Sequence, residues 1–598
     1  MTNPGQYFPS IRYRDSLPEA TINNIKDILC RKLGLALQEE CTEPITGCFS
    51  ARVNLPDSVV GTNGKGMSPE LAMASAYAEF MERIQNQMLF EMAINLSGYV
   101  DAGYEFSPDE QVLTLNDYRE AFPTAYDYLL SLGISYQSTG KVVVQPFCSV
   151  LTGKIVWIPA EPLGPVYGSN GMCAGNNIYE ALVQGISEII ERHVMFTILK
   201  GGISLPNITA SQLAEFDHIQ EICNRIAEAG YGIKLKNASH IFGIPTVCAI
   251  LIDKTLHSYH VRWGVHPHMG VALERAVAEV FQRKTIKTLG NYMVDYSYGD
   301  RDYSTMDNFY NAFRTGTAYY PGNLFVELPP DQADELPGWN SSNNRGLLKL
   351  LLRLVAEAGY DILIRDVSFL GFPSFRVIVP GLSEVVIPNQ IANWRERKAA
   401  AALRRLILGN NQVEDAAARR VLGELVSQDF PLIQNARDYL KIPLNDLSPL
   451  SRIPMGLPIA MLCFKTQGYA EAYSILDRMI AQASADHNSK TSFHRCLRDL
   501  IGAMVDGHEL AWARRHLAQF YNNDLLKYAI DFLESADDFF QSFFTLDCWE
   551  CNTCQDLDHC HFFANKDVVR RTRELYRENC PDQGSIMAEL ADLDIGAG

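Results

Sequence analysis

One short pattern occurs three times in this chain, and it constrains what the first half of the polypeptide can fold into. It consists of Ala, six residues, Glu, two residues, Glu or Gln, then Arg. The copies are Ala72, Glu79, Glu82 and Arg83 in LAMASAYAEFMER; Ala181, Glu188, Glu191 and Arg192 in ALVQGISEIIER; and Ala272, Glu279, Gln282 and Arg283 in VALERAVAEVFQR. Each stretch is rich in helix formers and carries no proline after its start, which predicts a helix of about three to five turns. Residues at i, i+3, i+4 and i+7 share a helical face. Ser75, Glu79, Glu82 and Arg83 therefore form a polar stripe on the first helix, Glu180, Gln184, Glu188, Glu191 and Arg192 on the second, and Arg275, Glu279 and Gln282 on the third.

A single Glu-x-x-Glu-Arg is common on solvated helix faces, where such ion pairs contribute only a few tenths of a kcal/mol. Three copies with one spacing are a different observation. The second stripe is also nearly surrounded by Ala181, Leu182, Val183, Ile186, Ile189, Ile190, Val194, Met195 and Phe196, so its carboxylates are expected to face inward. Buried carboxylates need cations or become protonated. Carboxylates from several helices converging on one place make a hard-oxygen site suited to Mg²⁺ held between them and nucleotide phosphates. Before each helix comes a β-rich segment and then a glycine-containing stretch, read as a loop: Gly61 to Gly66, Gly168 to Gly171 with Gly175-Asn176, and Gly264 to Gly270. Strand, loop and helix N-terminus can present backbone N–H groups to an anion. No Walker A spacing is present, because Gly64-Lys65 is followed by Gly66. Lys65 fits either a phosphate contact or a solvated loop lysine.

The 598 residues are 47% hydrophobic, enough for a large core and more than one domain. A net charge of −18 and the absence of any Lys/Arg block argue against a nucleic-acid partner. No apolar run is long enough to span a bilayer and the first residues lack signal-peptide character, so the expected location is the cytoplasm. Nine of the fourteen cysteines are isolated, as reduced thiols would be.

At these residues the sequence resembles the YcaO family. GTNGKG followed by SAYAEFMER, GSNGMCAGN followed by EALVQGISEIIER, GVHPHMGVALERAVAEVFQ, and IRDVSFLGFPSFRVIVPGLSE (Ile364 to Glu384) resemble four family blocks in order. The resemblance covers roughly residues 45 to 400. It implies an α/β (α+β) ATP-binding core with internal repeats over residues 1–440, followed by an all-α domain over 441–598. It further implies ATP and Mg²⁺ as cofactors, with Lys65, Ser75, Glu79, Glu82, Asn176, Glu180, Glu188, Glu191, Arg192, Arg275, Glu279 and Gln282 as contacts. Glu79, Glu82, Glu188 and Glu191 would reach the magnesium. The implied chemistry is attack of a nucleophile on a peptide carbonyl whose oxygen is phosphorylated by ATP. The family ties azoline formation to a proline-rich PxPxP tail, whereas this chain ends in ADLDIGAG. The expectation is therefore thioamidation or a related amide modification. The alternative is a non-catalytic ATP-binding scaffold for sulfur modification, of the β-methylthiolation type, of a small-subunit ribosomal protein. Expected partners are a peptide or protein substrate, a sulfur-transfer or radical enzyme, and a second copy of the chain in a homodimer.

After about residue 440 two Gly-punctuated helical hairpins, turning at Gly468 and Gly507, lie 39 residues apart, near the period of tetratricopeptide-like arrays. They fit a partner-binding surface or a cap on the catalytic domain. Near the end stand Cys548, Cys551 and Cys554, then His559-Cys560-His561 and Cys580. The spacing suits Zn²⁺ on Cys548, Cys551, Cys554 and Cys560, or an iron–sulfur cluster, and on that ground alone a redox function. Free thiols are the plainer reading. His266-Pro267-His268 is read as structural or nucleotide-adjacent rather than as a metal pair, and Cys173 as a small buried hydrophobe rather than a nucleophile.

Overall fold

The computed structural model describes residues 8–89, 107–131, 141–385, 432–436, 452–484, 492–536, 558 and 561–593, apart from short breaks within these ranges. The chain divides into two compact units: residues 1–89, 105–390 and 568–598, and residues 90–104 with 391–567.

Each repeat in the first unit is a strand running into its stripe helix. Strands β1 (Gln38–Ile45), β2 (Cys48–Asn54) and β3 (Gly61–Gly66) form one antiparallel sheet, and helix α1 (Pro69–Gln85) follows. Strands β4 (Gln111–Thr114), β5 (Lys141–Ser149), β6 (Ile155–Pro159) and β7 (Met172–Ala174) precede α2 (Ile178–Gly201). Strands β8 (Gly232–Asn237), β9 (Thr246–Asp253) and β10 (Ser258–Val265) precede α3 (Met269–Phe281), and β11 (Val294–Asp295) pairs with β10. Helix α4 (Asn344–Glu357) and strands β12 (Leu363–Asp366) and β13 (Ser374–Ile378) complete the set. The second sheet runs β4-β5-β12-β13-β7, with β6 also on β5; the third runs β11-β10-β9-β8. Every named pairing is antiparallel, so the core is α+β.

Local chemistry places the helix starts. Ser68 and Asn177 accept hydrogen bonds from the N–H groups of Leu71 and Glu180, capping α1 and α2, and Pro69 stands at the first helical position. Two findings depart from the sequence reading. Gly61 to Gly66 is a strand, β3, paired residue by residue with β2. Helix α3 ends at Phe281, and Gln282 turns out of it with ψ 123°, so Gln282 does not continue the third stripe.

The glycines serve a close approach of strand to helix. A Cβ on Gly64 would drive into the Ala72 carbonyl oxygen and the Ala76 amide nitrogen; a Cβ on Gly264 would do the same to Ala272 and Ala276. The second repeat makes this contact with the roles exchanged. Cys173 stands on the strand and Gly185 on the helix, where a Cβ would lie 2.8 Å from Cys173 Sγ. Cys173 is fully buried, and burial holds its thiol well above the usual range, in keeping with a packing role. Helices α1 and α3 share one core, with Leu71 and Met67 beside Ala272, Leu273, Ala276 and Val277. Helix α2 runs through a second core against β9, β10, β13 and α4, with Ile186, Ile190, Ile250, Val261, Val377 and Leu351.

The second unit is helical: α5 (Gly456–Lys465), α6 (Tyr469–Ser484), α7 (Ser492–Val505), α8 (Leu510–Leu517) and α9 (Asn523–Glu534) pack around Leu462, Leu476, Leu497, Leu500 and Leu526. The predicted turns at Gly468 and Gly507 fall between helices. The cysteines at 548, 551, 554 and 560 lie outside the described residues. No helix among the described residues is long and apolar enough to cross a membrane.

Residues 568–598, which composition groups with the helical region, belong to the first unit. Arg365 on β12, 2% exposed, bonds Asp109, Ser107, the Pro146 carbonyl and the Tyr576 hydroxyl. Tyr576 also stacks on Phe369 with ring centroids 4.3 Å apart. Gln583 accepts from the Asp366 N–H at 2.8 Å and donates to its carbonyl at 2.9 Å.

The exchanged glycines give a prediction. Gly64→Ala and Gly185→Ala should each lower stability, by about 1–3 kcal/mol as overpacking does. The double change Cys173→Gly with Gly185→Ala should recover much of the second loss. Denaturant midpoints decide it: a double variant no more stable than Gly185→Ala refutes the exchange.

Candidate functional site

The antiparallel hairpins hold their helices so that the stripes face one another across a cleft. Its walls include Lys65 from β3, Ser75 from α1, Glu180 and Gln184 from α2, and Glu274 and Arg275 from α3. Ser75, Gln184 and Arg275 occupy the same position in the three repeats, three residues after the repeat alanine. Arg275 donates to the Gln184 side-chain oxygen at 2.6 Å. Met67, Leu71, Val183, Val271 and Ala278 give the cleft an apolar side.

One turn further along each helix stand the carboxylates. Arg83 pairs with Glu79 at 3.2 Å and Glu82 at 3.4 Å; Arg192 pairs with Glu188 at 3.8 Å; and Lys65 of the first repeat pairs with Glu279 of the third. The groups act on one another as a single cluster. Burial pushes Glu82 well above the ordinary carboxylate range; Arg83 opposes the shift, and Glu188 and Glu79 add to it. Burial likewise raises Glu188, against the pull of Arg192 and Arg83. Burial lowers Lys65 to about 8, with Arg275 nearby and Glu191 and Glu79 opposing. Burial lowers Arg275 too, against Glu191 and Glu188. The side chains are recessed rather than sealed, with Glu82 12% and Glu188 20% exposed.

Lys65, Ser75 and Arg275 line the cleft, and Glu79, Glu82, Glu188, Glu191, Arg192 and Glu279 are tied to them or to one another by ion pairs and by charge. Glu180 and Asn176 sit at the cleft edge in a network of their own. Asn176 donates to Glu180 at 2.9 Å, Arg14 pairs with it at 3.0 Å, and the Asp15 N–H bonds it at 3.0 Å. Gln282 falls outside the stripe geometry.

Sequence reasoning missed the N-terminal wall. The Ser10 N–H donates to Glu274 at 3.0 Å, and Asn344 donates to the Tyr13 carbonyl and to Asp15, both at 2.9 Å. No repeat or spacing marks residues 8–15, so only their position in the fold reveals them. His266 is buried, lines the cleft beside Tyr13 and accepts from the His268 N–H at 3.0 Å.

Among the described residues no group of three or more His, Cys, Asp and Glu is arranged to hold a metal ion alone. The donor set suits a cation that shares its oxygens with a ligand, as Mg²⁺ does with phosphates. Burial raises the carboxylates of Glu82 and Glu188, and Arg192 Nε is buried without a hydrogen-bond partner.

Residues 63–383 match the family model described as YcaO cyclodehydratase, ATP- and Mg²⁺-binding. The chain belongs to the YcaO family. It is 25% identical over 526 residues to the Escherichia coli protein named ribosomal protein S12 methylthiotransferase accessory factor YcaO, covering 84% of this chain and 88% of that one. An uncharacterized Haemophilus influenzae protein is 25% identical over 526 residues, covering 83% and 88%. Among solved structures, a YcaO from Methanopyrus kandleri bound with AMPPCP and Mg²⁺ aligns at 19% identity and TM-score 0.40, over 64% of this chain and 95% of that one. A heterocyclase in complex with substrate and cofactor aligns at 16% identity and TM-score 0.44, over 62% and 53%.

A raised carboxylate stabilises the fold at low pH, and that contribution is lost as pH rises through its folded value. Glu82→Gln keeps the shape without the charge. Its melting temperature should exceed that of wild type at pH 8, by on the order of 1 kcal/mol in stability. The gap should close as pH falls below the ordinary carboxylate range. A variant less stable than wild type at pH 8 would show that Arg83 outweighs burial there.

Proposed function

We propose that this chain binds Mg²⁺–ATP in the cleft and uses it to activate a backbone amide of a peptide or protein, for thioamidation or a related sulfur or amide modification. The convergence of three carboxylate stripes with Lys65, Arg192 and Arg275 carries this reading. Glu79, Glu82, Glu188 and Glu191 would hold Mg²⁺, which supplies charge neutralisation to the triphosphate when bound. Lys65, Arg192 and Arg275 would orient phosphate oxygens by charge-assisted hydrogen bonds, and the apolar wall would take the base. Ser75 of α1 and Gln184 of α2 are uncharged polar groups lining the cleft, placed to fix the ligand's orientation. An amide oxygen is a poor leaving group. Phosphorylated, with ADP released, it departs as phosphate once a nucleophile has added to the carbon. The residues' share of the work is positioning and electrostatic stabilisation.

The relative named as a methylthiotransferase accessory factor favours a second reading, since the alignment runs through most of both chains. In it the first unit binds nucleotide, and the helical unit, tetratricopeptide-like in its hairpin spacing, recruits a sulfur-transfer or radical enzyme acting on a small-subunit ribosomal protein. A homodimer in the cytoplasm and a metal at the C-terminal cysteines belong to the proposal in either form.

Glu188→Gln and Arg192→Ala should each weaken Mg²⁺–ATP binding at least tenfold by titration calorimetry while leaving the melting curve cooperative. Nucleotide affinity unchanged in both variants removes the site assignment. Phosphate release stimulated by a peptide substrate separates the enzyme from the scaffold, which would bind without turnover.

A further inference from the structure

Strand β10 carries a basic group that no repeat position predicts. Arg262 interacts electrostatically with Arg192 and Glu191, and Lys65 feels its charge, so it belongs to the same field as the carboxylates. Its Nε–H donates to His260 Nε2 at 2.9 Å. Lys284 Nζ reaches the same nitrogen at 2.7 Å. His260 is 0% exposed and Lys284 4%. On the other side the backbone at Gly316, with φ +70°, lies so close that a Cβ would collide with the guanidinium. Phe313, three residues earlier, lies under Arg192 with 4.8 Å between guanidinium and ring centre.

We propose that Arg262 meets the terminal phosphoryl group of the bound nucleotide, and that His260 and Lys284 are positioning residues that hold its guanidinium there. The inference rests on the nucleotide reading above and extends it to the end where the acceptor amide must arrive. Three observations support it. Met67, Leu71, Val183 and Val271 of the apolar wall lie near the helix starts, and the carboxylates and Arg192 lie one to two turns further along. A nucleotide with its base on that wall therefore directs its last phosphate toward Arg192 and Arg262. Because His260 Nε2 accepts from Arg262, its proton resides on Nδ1 and the ring is neutral. Burial lowers Lys284 to about 6, so at neutral pH the trio concentrates its positive charge on the arginine, which keeps its charge when buried. Finally, Gly316 admits the planar fork where any side chain would displace it.

The test compares Mg²⁺–ATP with Mg²⁺–ADP by titration calorimetry on the full chain. Arg262→Gln should lose about tenfold or more in affinity for ATP and little for ADP, with Arg262→Lys intermediate. His260→Gln, whose amide oxygen can still accept from the guanidinium, should keep the preference that His260→Leu loses. An Arg262→Gln protein that melts cooperatively and retains the wild-type ATP-to-ADP ratio, or loses both nucleotides equally, overturns the assignment. So does a folded His260→Leu protein with an unchanged ratio. Wild-type protein that binds neither nucleotide overturns the underlying reading as well, so the two failures are told apart.

Discussion

Carboxylates from three helices can share a recessed floor only if cations stand among them. Desolvation alone costs each ion several kcal/mol, and like charges add to it. The structure answers with Arg83, Arg192, Arg275, Arg262 and Lys65 interleaved among Glu79, Glu82, Glu188, Glu191 and Glu279. The compensation is incomplete, because Glu82 and Glu188 remain raised. The residual shift reflects desolvation and like-charge repulsion that the cations offset only in part.

Holding so many charges in register demands rigid supports, and the strand–helix contacts provide them. Gly64 against Ala72 and Ala76, and Gly264 against Ala272 and Ala276, bring backbone to backbone with no side chain between. The distance from strand to stripe is then set by contact of backbone with backbone rather than by packing of flexible groups. The second repeat reaches the same end with Cys173 and Gly185 exchanged. A repeat can thus keep its contact while losing the residue pattern by which it would be recognised.

Much of this was legible in the sequence because helical periodicity is a local signal. The stripes and the β-rich segments before them follow from residues near one another in the chain. Two local readings erred. Glycine-rich Gly61–Gly66 suggested a loop, but pairing with β2 and the flank of α1 make it a strand. Gln282 continued the pattern in sequence, yet the backbone leaves the helix one residue earlier. What remained invisible is non-local. Arg14, Glu274, His260, Arg262 and Lys284 join the site or its support through contacts made only after the sheets assemble. Alternation along β10 shows that His260 and Arg262 share a face, but not what that face meets.

The clasp of Arg365 by Tyr576, with Gln583 pairing to the backbone of Asp366, bears on the order in which the molecule is made. Helices α5 to α9 of the second unit lie between residues 456 and 534, so they are all synthesised while the ribosome is still adding the last stretch of chain. The first unit does not. Its guanidinium at Arg365 waits for partners more than two hundred residues downstream, leaving a buried cation short of one of its partners until Tyr576 emerges. The portion synthesised first is therefore the portion finished last, and a nascent chain arrested before that point would expose the surface on which chaperones act.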